Sequence, residues 1–394
     1  MRTKRILTPA SPLAIATLTI GLLTIGLSGC DSGVKEMSDD EVPPMASIEI
    51  PIGVVVALTG HHAEPYGLPM QRGFELALEE INNLGEVKLS FITVDDMSTP
   101  DGAEAAVRHL VNQNVPAIVG LAISTHLKQA APIAQENEVI AFSSVSSASG
   151  LGAIGGFVFR TSLVTDVSIP DGVIATREIL DYEEVATIYD EVDVYSTSSN
   201  EVLRSVLGEN GVEILIEEAF KTGDTEFSEQ LTRIAAKNPD ALFISALSQE
   251  IAGILAQTAE LDFPETIQII APDLTMSEVQ KAGHGAEGAI GFIGWSSMSD
   301  APGNRAFVQK YRAQYGIEPE PWAAQSYATL HVLANAIKTA QSADATAIRD
   351  ALAQTTDFPS NLGKLGRFSF NPDGDALYDQ ILVVVRDGEL EFLD

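Results

Sequence analysis

The chain has 394 residues, a formal net charge of −32 at pH 7 and one cysteine, Cys30. A charge this negative repels nucleic acid and anionic lipid surfaces, so we expect no nucleic-acid partner. A single thiol excludes a framework of intramolecular disulfides. The length is sufficient for two domains of ordinary size.

The first thirty residues have the pattern of a bacterial lipoprotein signal. Basic residues precede an apolar run from Pro12 to Leu27, which predicts a signal peptide at residues 1–29. The run is also long enough for a membrane anchor, but its threonines and its small-residue end favour the signal peptide. The sequence Leu27-Ser-Gly-Cys30 resembles the lipoprotein box, which implies lipidation of Cys30.

The residues after Cys30 predict how the processed chain is attached to the membrane. Asp31 resembles the signal that retains a lipoprotein on the inner membrane of Gram-negative bacteria. We therefore expect a periplasmic or otherwise extracytoplasmic protein, anchored to the cytoplasmic (inner) membrane through its lipid alone. Residues 30–46 are acidic and poor in apolar side chains, which predicts a flexible tether. The chain beyond residue 29 has 20 basic and 55 acidic residues, a formal charge of −35.

The first half of the body alternates between two apolar patterns. Short continuous apolar runs are typical of strands buried on both faces, and spacings of three and four residues are typical of helices. Strands are predicted at residues 48–58, 87–94, 117–119 and 140–142, and helices at 70–81, 103–111 and 127–134. This order predicts one doubly wound parallel sheet of an α/β fold, because crossovers between parallel strands are right-handed.

The same alternation of strands and helices then begins again. Strands are predicted at residues 157–159, 185–189, 212–216, 241–244, 267–270 and 288–295, followed by a mostly helical stretch at 304–353 and strands at 366–370 and 380–385. Two similar halves and a shared tail predict two lobes with a cleft between them. We expect one lobe to comprise residues 47–163 and 297–376, and the other residues 164–296 and 377–394.

The residues after the strands predict the ligand chemistry, since open α/β sheets bind ligands beyond the carboxyl ends of their strands. The first half presents hydroxyl groups and helix starts there, at Ser124 and in the serine-rich residues 143–149. The second half presents Tyr195 and Asp273. Hydroxyls and helix amides suit an anion, and a carboxylate suits a cation. Together they predict a small zwitterionic ligand held between the lobes.

Two other motifs predict no chemistry. Gly150-x-Gly152-x-x-Gly155 matches the dinucleotide-binding fingerprint, but no tight strand-to-helix turn surrounds it, so we expect a flexible loop there. His61 and His62 are adjacent, so we expect their side chains to diverge and to form no metal site. Because no catalytic or phosphate-binding motif is present either, we expect no enzyme activity and no cofactor.

Several landmarks, in this order, resemble one family. They are Ile52-Gly-Val-Val-Val-Ala-Leu-Thr-Gly60, Gly73-Phe-Glu-Leu-Ala-Leu-Glu-Glu-Ile-Asn82, Phe159-Arg-Thr161, Gly223-Asp-Thr-Glu-Phe-Ser228 and Asn371-Pro-Asp-Gly374. From Ile48 to Asp394 the chain resembles the leucine/isoleucine/valine-binding proteins, substrate-binding components of ABC importers. The resemblance implies the type I periplasmic-binding-protein fold, with two doubly wound lobes joined by a multi-strand hinge.

The resemblance also implies roles for particular residues in the first lobe. Ser124 matches a serine that grips the ligand carboxylate, although it could instead be a helix N-cap. Val145, through its backbone, and Ser147 match further carboxylate contacts, and neighbouring Ser146 is a candidate for the same role. These serines could instead be solvated loop residues. Tyr66 falls where an aromatic ring borders the side-chain pocket, with simple packing between the lobes as the alternative.

Three residues of the second lobe complete the implied site. Asp273 matches the acidic residue that holds the ligand ammonium, although it could instead be the N-cap of the next helix. Tyr195 matches a tyrosine of the second lobe. Leu247 occupies a position at which amino-acid-binding relatives carry a tyrosine that contacts the ligand. Trp322 is not among the residues that the resemblance implies. We expect it either to border the cleft or to be buried in the core.

We therefore expect a monomeric solute-binding protein that closes around an amino acid, of branched-chain type or similar, or around a related small polar molecule. Its protein partner would be an ABC permease. The alternative is a sensor of the same fold, which would hand a bound amide, urea or other small ligand to a signalling partner. A permease gene beside this one would separate the two.

Overall fold

A computed structural model describes residues 49–393. The predictions of a signal peptide at 1–29, of lipidation at Cys30 and of a tether at 30–46 lie outside the described residues. Within 49–393, no helix combines the length and the apolar character needed to span a membrane.

The first lobe is built around a parallel sheet. Its elements alternate as β1 (Glu49–Val56), α1 (Leu68–Leu84), β2 (Lys88–Asp95), α2 (Pro100–Asn112), β3 (Ala117–Gly120), α3 (Ser124–Glu136), β4 (Ile140–Ser143) and β5 (Val158–Arg160). The strand order is β2-β1-β3-β4-β5, and every pairing is parallel. The residues of β3, β4 and β5 are all buried, because helices cover both faces of the sheet.

The second lobe repeats the pattern. It comprises α4 (Thr165–Leu180), β6 (Glu184–Asp190), α5 (Val194–Glu209), β7 (Glu213–Phe220), α6 (Ser228–Lys237), β8 (Ala241–Ser245), α7 (Ser248–Glu260), β9 (Gln268–Ile270), α8 (Met276–Ala282) and β10 (Ile290–Ile293). Strands β6 to β10 pair in parallel.

The remaining elements are shared between the lobes. They are α9 (Asn304–Tyr315), α10 (Pro321–Ala340), α11 (Ala345–Ala353), β11 (Phe358–Pro359), β12 (Arg367–Phe370), β13 (Ala376–Leu377), β14 (Ile381–Arg386) and β15 (Glu389–Phe392). Strands β14 and β15 extend the second sheet as antiparallel strands, in the order β15-β14-β10-β9-β8-β6-β7. Strands β11, β12 and β13 form a small antiparallel sheet.

Helix α10 packs against α1 of the first lobe. The contact is so close that a Cβ atom on Gly73 would lie 2.1 Å from the carbonyl oxygen of Ala323. The apolar residues of α9 and α10, among them Phe307 and Leu333, join the same core as β1 and α1. Within the described range, the chain therefore crosses between the lobes three times: after β5, after β10 and after β13. These three crossings form the hinge.

The predicted fold class is confirmed: an α/β chain of two lobes around largely parallel sheets, with the periplasmic-binding-protein architecture. Strand β15 was not predicted, because its residues alternate between exposed and half-buried and form no apolar run. A turn signal does precede it. Asp387 and Gly388 both have positive φ (52° and 76°), as a tight hairpin turn of the Asp-Gly type requires.

The expectation of a flexible loop around Gly150-x-Gly152-x-x-Gly155 was wrong. Residues Gly152–Ile154 form a short 3₁₀ helix that packs against the turn containing Asp373 and Asp375. A Cβ atom on Gly152 would lie 2.4 Å from the carbonyl oxygen of Asp373. The glycine is present because two backbone segments approach each other closely, a requirement that the local sequence does not reveal.

Candidate ligand site

A cavity lies between the lobes, beyond the carboxyl ends of β3 and β4 on one side and of β8 and β9 on the other. The space in it that is open to the centre of a water-sized sphere is about 30 Å³, so the cavity is narrow. The residues that line it are Tyr66, Ala122, Ile123, Ser124, Val145, Ser146, Ser147, Tyr195, Ala246, Leu247, Ser248, Ile251, Asp273, Glu278 and Trp322. All eight residues proposed from the sequence as ligand contacts are among them.

Ser124 lies at the start of α3 and is buried. It is not the N-cap: Ile123 holds that position and provides no side-chain cap. The Ser124 hydroxyl accepts hydrogen bonds from the amide of Ala148 and from the hydroxyl of Ser146, both at 3.2 Å. The helix start and these hydroxyls thus converge on one end of the cavity, the arrangement that suits an anion.

Hydrogen bonds hold the serine-rich loop in place. The Ser143 hydroxyl donates to the carbonyl of Leu121 at 2.8 Å and accepts from the amide of Ser146 at 3.1 Å. The Ser162 hydroxyl donates to the carbonyl of Ser146 at 2.8 Å. The amide of Thr165 donates to the carbonyl of Ser147, also at 2.8 Å. The loop is therefore fixed relative to the strands on both sides, and its serines from 143 to 147 are buried rather than solvated.

Arg160, at the end of β5, supports this loop from behind. Its guanidinium is fully buried, donates to the carbonyl of Ala148 and pairs with the carboxylate of Asp375 at 2.7 Å. The backbone amide of Arg160 donates to the carbonyl of Gly374 at 2.9 Å. Two of the sequence landmarks, Phe159-Arg-Thr161 and Asn371-Pro-Asp-Gly374, are thus in direct contact.

Asp273 faces the cavity from the second lobe, immediately after β9. Its φ of +63° lies in the left-handed region, which is sparsely populated by residues other than glycine and common at functional sites. The N-cap alternative was wrong, because Thr275 is the N-cap of α8 and accepts from the amide of Ser277. The pKa of Asp273 is raised to about 6, mainly by burial of its carboxyl group; the Tyr195 hydroxyl opposes the rise and the charge of Glu278 adds to it.

Tyr195 lies beside Asp273 at the start of α5. It is 7% exposed, and its hydroxyl has no hydrogen-bond partner among the described residues. Burial raises the pKa of this hydroxyl well above its ordinary value, and the neighbouring Asp273 carboxylate adds to the effect. The group is therefore neutral and buried, and it lies next to the Asp273 carboxyl group.

Aromatic rings form another wall. Tyr66 follows β1 in a short π-helical turn, and its ring centroid is 5.6 Å from that of Trp322 at the start of α10. The hydroxyl of Tyr66 accepts a hydrogen bond from the amide of Ser248 at 3.0 Å. Tyr66 therefore both borders the cavity and packs between the lobes, and Trp322 borders the cavity.

Glu278 is a cavity residue that the sequence reasoning missed. It is 1% exposed, and its carboxylate accepts hydrogen bonds from the hydroxyls of Ser248 and Thr275 and from the Thr275 amide. The available signal was Thr275-x-x-Glu278, a capping box at the start of α8. That pattern places Glu278 at the helix start, but it does not say that the helix start faces the cleft.

The expectation that His61 and His62 diverge was wrong. Their ring centroids are 3.8 Å apart, and the ring of His62 also contacts that of His126, whose Nδ1 lies 3.1 Å from a carboxylate oxygen of Asp96. Burial, together with the charges of His61 and His126, lowers the pKa of His62 to about 3. No group of three or more potential metal ligands comes together in the described part of the chain.

Fold and cavity define a two-lobed α/β protein that encloses a small solute. The chain matches the periplasmic binding protein family over residues 49–389 and belongs to that family, whose members are binding proteins rather than enzymes. The resemblance seen in the sequence is therefore confirmed.

Individual relatives support this assignment. The chain is 26% identical over 330 residues to a Leu/Ile/Val-binding protein of Rhizobium johnstonii, covering 82% of this chain and 88% of the relative. The crystal structure of a leucine-binding protein from Thermotoga maritima is similar, with a TM-score of 0.81 and 25% identity over 88% of this chain and 98% of the other. A branched-chain amino acid transporter substrate-binding protein from Streptococcus pneumoniae, in complex with isoleucine, gives a TM-score of 0.80 and 26% identity, covering 87% of this chain and 98% of that one.

Proposed function

We propose that this chain is the extracytoplasmic solute-binding protein of an ABC importer and that it binds an amino acid, of branched-chain type or similar, or a related small polar molecule. The observation that carries the proposal is the polarity of the cavity. Uncapped helix amides and buried hydroxyls lie at one side, and the Asp273 carboxylate with the neighbouring Tyr195 hydroxyl lies at the other. A zwitterion with both charged groups on one carbon atom satisfies both sides at once.

The ligand carboxylate binds at the first lobe. Ser124 and the amides of the first turn of α3 supply donors, and the loop of Val145, Ser146 and Ser147 supplies a backbone group and further hydroxyls. Because these donors are already held in place by hydrogen bonds, little conformational entropy is lost on binding.

The ligand ammonium binds at the second lobe, against Asp273 and Tyr195. A buried carboxylate whose pKa is raised has lost hydration, and an ammonium group replaces the water with a charge-assisted hydrogen bond. The ligand side chain then points toward Tyr66, Leu247 and Trp322, which border the rest of the cavity.

Binding is coupled to closure of the two lobes about the hinge. We assign residues 47–163 and 297–376 to the first lobe and residues 164–296 and 377–394 to the second. Direct contacts between the lobes support a closed form. The bonds are Tyr66 with Ser248 (3.0 Å), His61 with Gln249 (2.8 Å), Thr125 with Asp193 (2.8 Å) and Glu64 with Lys281 (3.1 Å).

The remaining proposals concern the anchor and the partner. We keep lipidation at Cys30, attachment to the inner membrane, a monomeric state and delivery of the ligand to an ABC permease as expectations from sequence and family. Mass spectrometry of the amino-terminal peptide from membranes tests the anchor, because lipidation at Cys30 removes residues 1–29 and adds the mass of the acyl chains.

Calorimetry with matched ligands tests the proposed function. After unfolding and refolding to remove any co-purified solute, the protein is titrated with leucine, 4-methylpentanoate and 3-methylbutylamine. The second compound lacks the ammonium group, and the third lacks the carboxylate. We expect amino acids to bind and both truncated compounds to bind at least about a hundredfold more weakly. Binding of either truncated compound within threefold of the best amino acid would overturn the proposal.

A further inference from the structure

The cavity contains more carboxyl groups than the single ammonium group of an amino acid backbone can pair with. Both Asp273 and Glu278 line it, and none of its described lining residues is a lysine, arginine or histidine. An α-amino acid has one ammonium group, which the proposed function assigns to Asp273. Glu278 is therefore left to interact with another part of the ligand.

The position of Glu278 indicates which part of the ligand it contacts. Glu278 bonds to the hydroxyl of Ser248, and the amide of the same Ser248 donates to the hydroxyl of Tyr66. Tyr66 borders the side-chain region together with Trp322. Glu278 and Ser248 thus form a polar patch beside the rings, at the end of the cavity where the ligand side chain lies.

The hydrogen bonds of Glu278 leave it able to accept another. A carboxylate has lone pairs for about four hydrogen bonds. Glu278 receives two from Thr275 and one from Ser248, and it is 1% exposed. An aliphatic side chain over this patch would fill the adjoining space without supplying a donor, which leaves a buried acceptor partly unsatisfied.

We propose that Glu278 determines the specificity of the cavity, selecting amino acids whose side chain ends in a hydrogen-bond donor, such as a hydroxyl or an amide, over aliphatic amino acids of the same shape. The inference rests on the proposed function and narrows its ligand class. The absence of an aromatic ring at Leu247 is consistent with it, since the patch of Glu278 and Ser248 is not screened by a tyrosine there.

The competing explanation is that Glu278 only caps α8. Capping accounts for its bonds to Thr275. It does not account for the bond to Ser248 on another helix, or for a buried carboxylate at the cavity wall. The two explanations predict different ligand preferences when the cap of α8 is weakened but the Glu278 carboxyl group stays at the cavity wall.

Pairs of ligands with nearly equal shape test the inference: threonine against valine and asparagine against leucine, titrated by calorimetry into the refolded full chain. We expect threonine and asparagine to bind about tenfold or more tightly than their aliphatic partners. In Glu278→Met the preference should fall below threefold. Thr275→Ala removes the side-chain cap and one bond to Glu278, but it leaves the Glu278 carboxyl group and its bond to Ser248 in place, so the preference should persist.

Each other outcome has a definite meaning. Tighter binding of valine and leucine to the unmodified protein overturns this inference while leaving the proposed function intact. Failure of all four amino acids to bind overturns both. Loss of the preference in Thr275→Ala as well as Glu278→Met overturns a direct role. If Glu278→Met does not fold, Glu278→Gln keeps the capping pattern, and an unchanged preference in that variant also overturns the inference.

Discussion

The hydroxyl of Tyr66 accepts a hydrogen bond from the backbone amide of Ser248, 182 residues further along the chain. The bond joins the turn after β1 in one lobe to the start of α7 in the other, and both residues line the cavity. Tyr66 therefore lines the cavity and also joins the two lobes. If it borders the ligand as we propose, one side chain serves both ligand contact and lobe closure.

This bond predicts the effect of Tyr66→Phe. The variant keeps the ring but leaves the amide of Ser248 without its partner in the closed form, so closure should cost about 1–3 kcal/mol more. Ligand affinity should fall roughly 5- to 150-fold, as measured by calorimetry. The matched control is Tyr315→Phe, which removes a hydroxyl bonded to the carbonyl of Arg72, away from the cavity, and should leave the affinity unchanged. Equal affinities for the two variants would contradict a role for the bond in closure.

A second prediction concerns Asp273. Removing its carboxylate in Asp273→Ala leaves the ligand ammonium buried and unpaired, which should cost about 2–5 kcal/mol. Affinity should therefore fall about thirtyfold to several thousandfold. Asp262→Ala, at an exposed position in the same lobe, is the control and should have no effect. A loss of less than threefold in Asp273→Ala would show that the ammonium is held elsewhere.

The raised pKa of Asp273 predicts a pH dependence of binding. With a pKa of about 6, the carboxylate is mostly protonated at pH 5 and almost fully ionised at pH 8. Since an ammonium group requires the ionised form, affinity should be about tenfold weaker at pH 5 than at pH 8. Titrations across this range check the prediction, and the dependence should disappear in Asp273→Asn. A pH profile identical in that variant would assign the dependence to another group.

The same shift affects stability with a definite sign. The pKa of Asp273 is higher in the folded protein than its ordinary value of 3.8, so between about pH 4 and pH 6 the folded state binds more protons. This group therefore lowers the free energy of unfolding of the ligand-free protein as the pH rises through that window. Ligand binding at neutral pH offsets the loss.

Packing at Gly152 predicts a contrast between two glycines. In Gly152→Ala the new Cβ would meet backbone of the 371–375 turn at 2.4 Å, so the variant should lose about 1–3 kcal/mol of stability. Gly208 lies in α5, and a Cβ atom added there would have no neighbour within 4 Å, so Gly208→Ala should be neutral or stabilising by up to about 1 kcal/mol. Chemical denaturation measures both. A Gly152→Ala variant as stable as Gly208→Ala would mean that the turn moves away easily.

Local patterns were sufficient for most of the fold. The apolar runs of β1 and β4 and the helical spacing of α1 each depend on burial of nearby residues in the chain, so their positions could be read directly. The candidate site could be predicted from the sequence for a related reason. Ser124 lies four residues after β3 and Asp273 three residues after β9, and a parallel sheet brings the carboxyl ends of its strands to one edge.

The features that escaped prediction are contacts between segments distant in the chain. Gly152 meets Asp373, Tyr66 meets Ser248, and the rings of His61 and His62 pack where the turn after β1 reaches α3. The periodicity of apolar residues does not predict such contacts, because each depends on where the fold places a second, distant segment of the chain.

The sequence by itself determined that this chain forms two α/β lobes, with hydroxyls and helix starts facing a carboxylate across a cleft. These features follow from hydrophobic periodicity and from the residues at strand ends, and both are local. Only the tertiary structure decided that Glu278 reaches the cavity wall and that Tyr66 joins the lobes. Both depend on how α7 and α8 of the second lobe are placed against the first, which is a property of the packed whole.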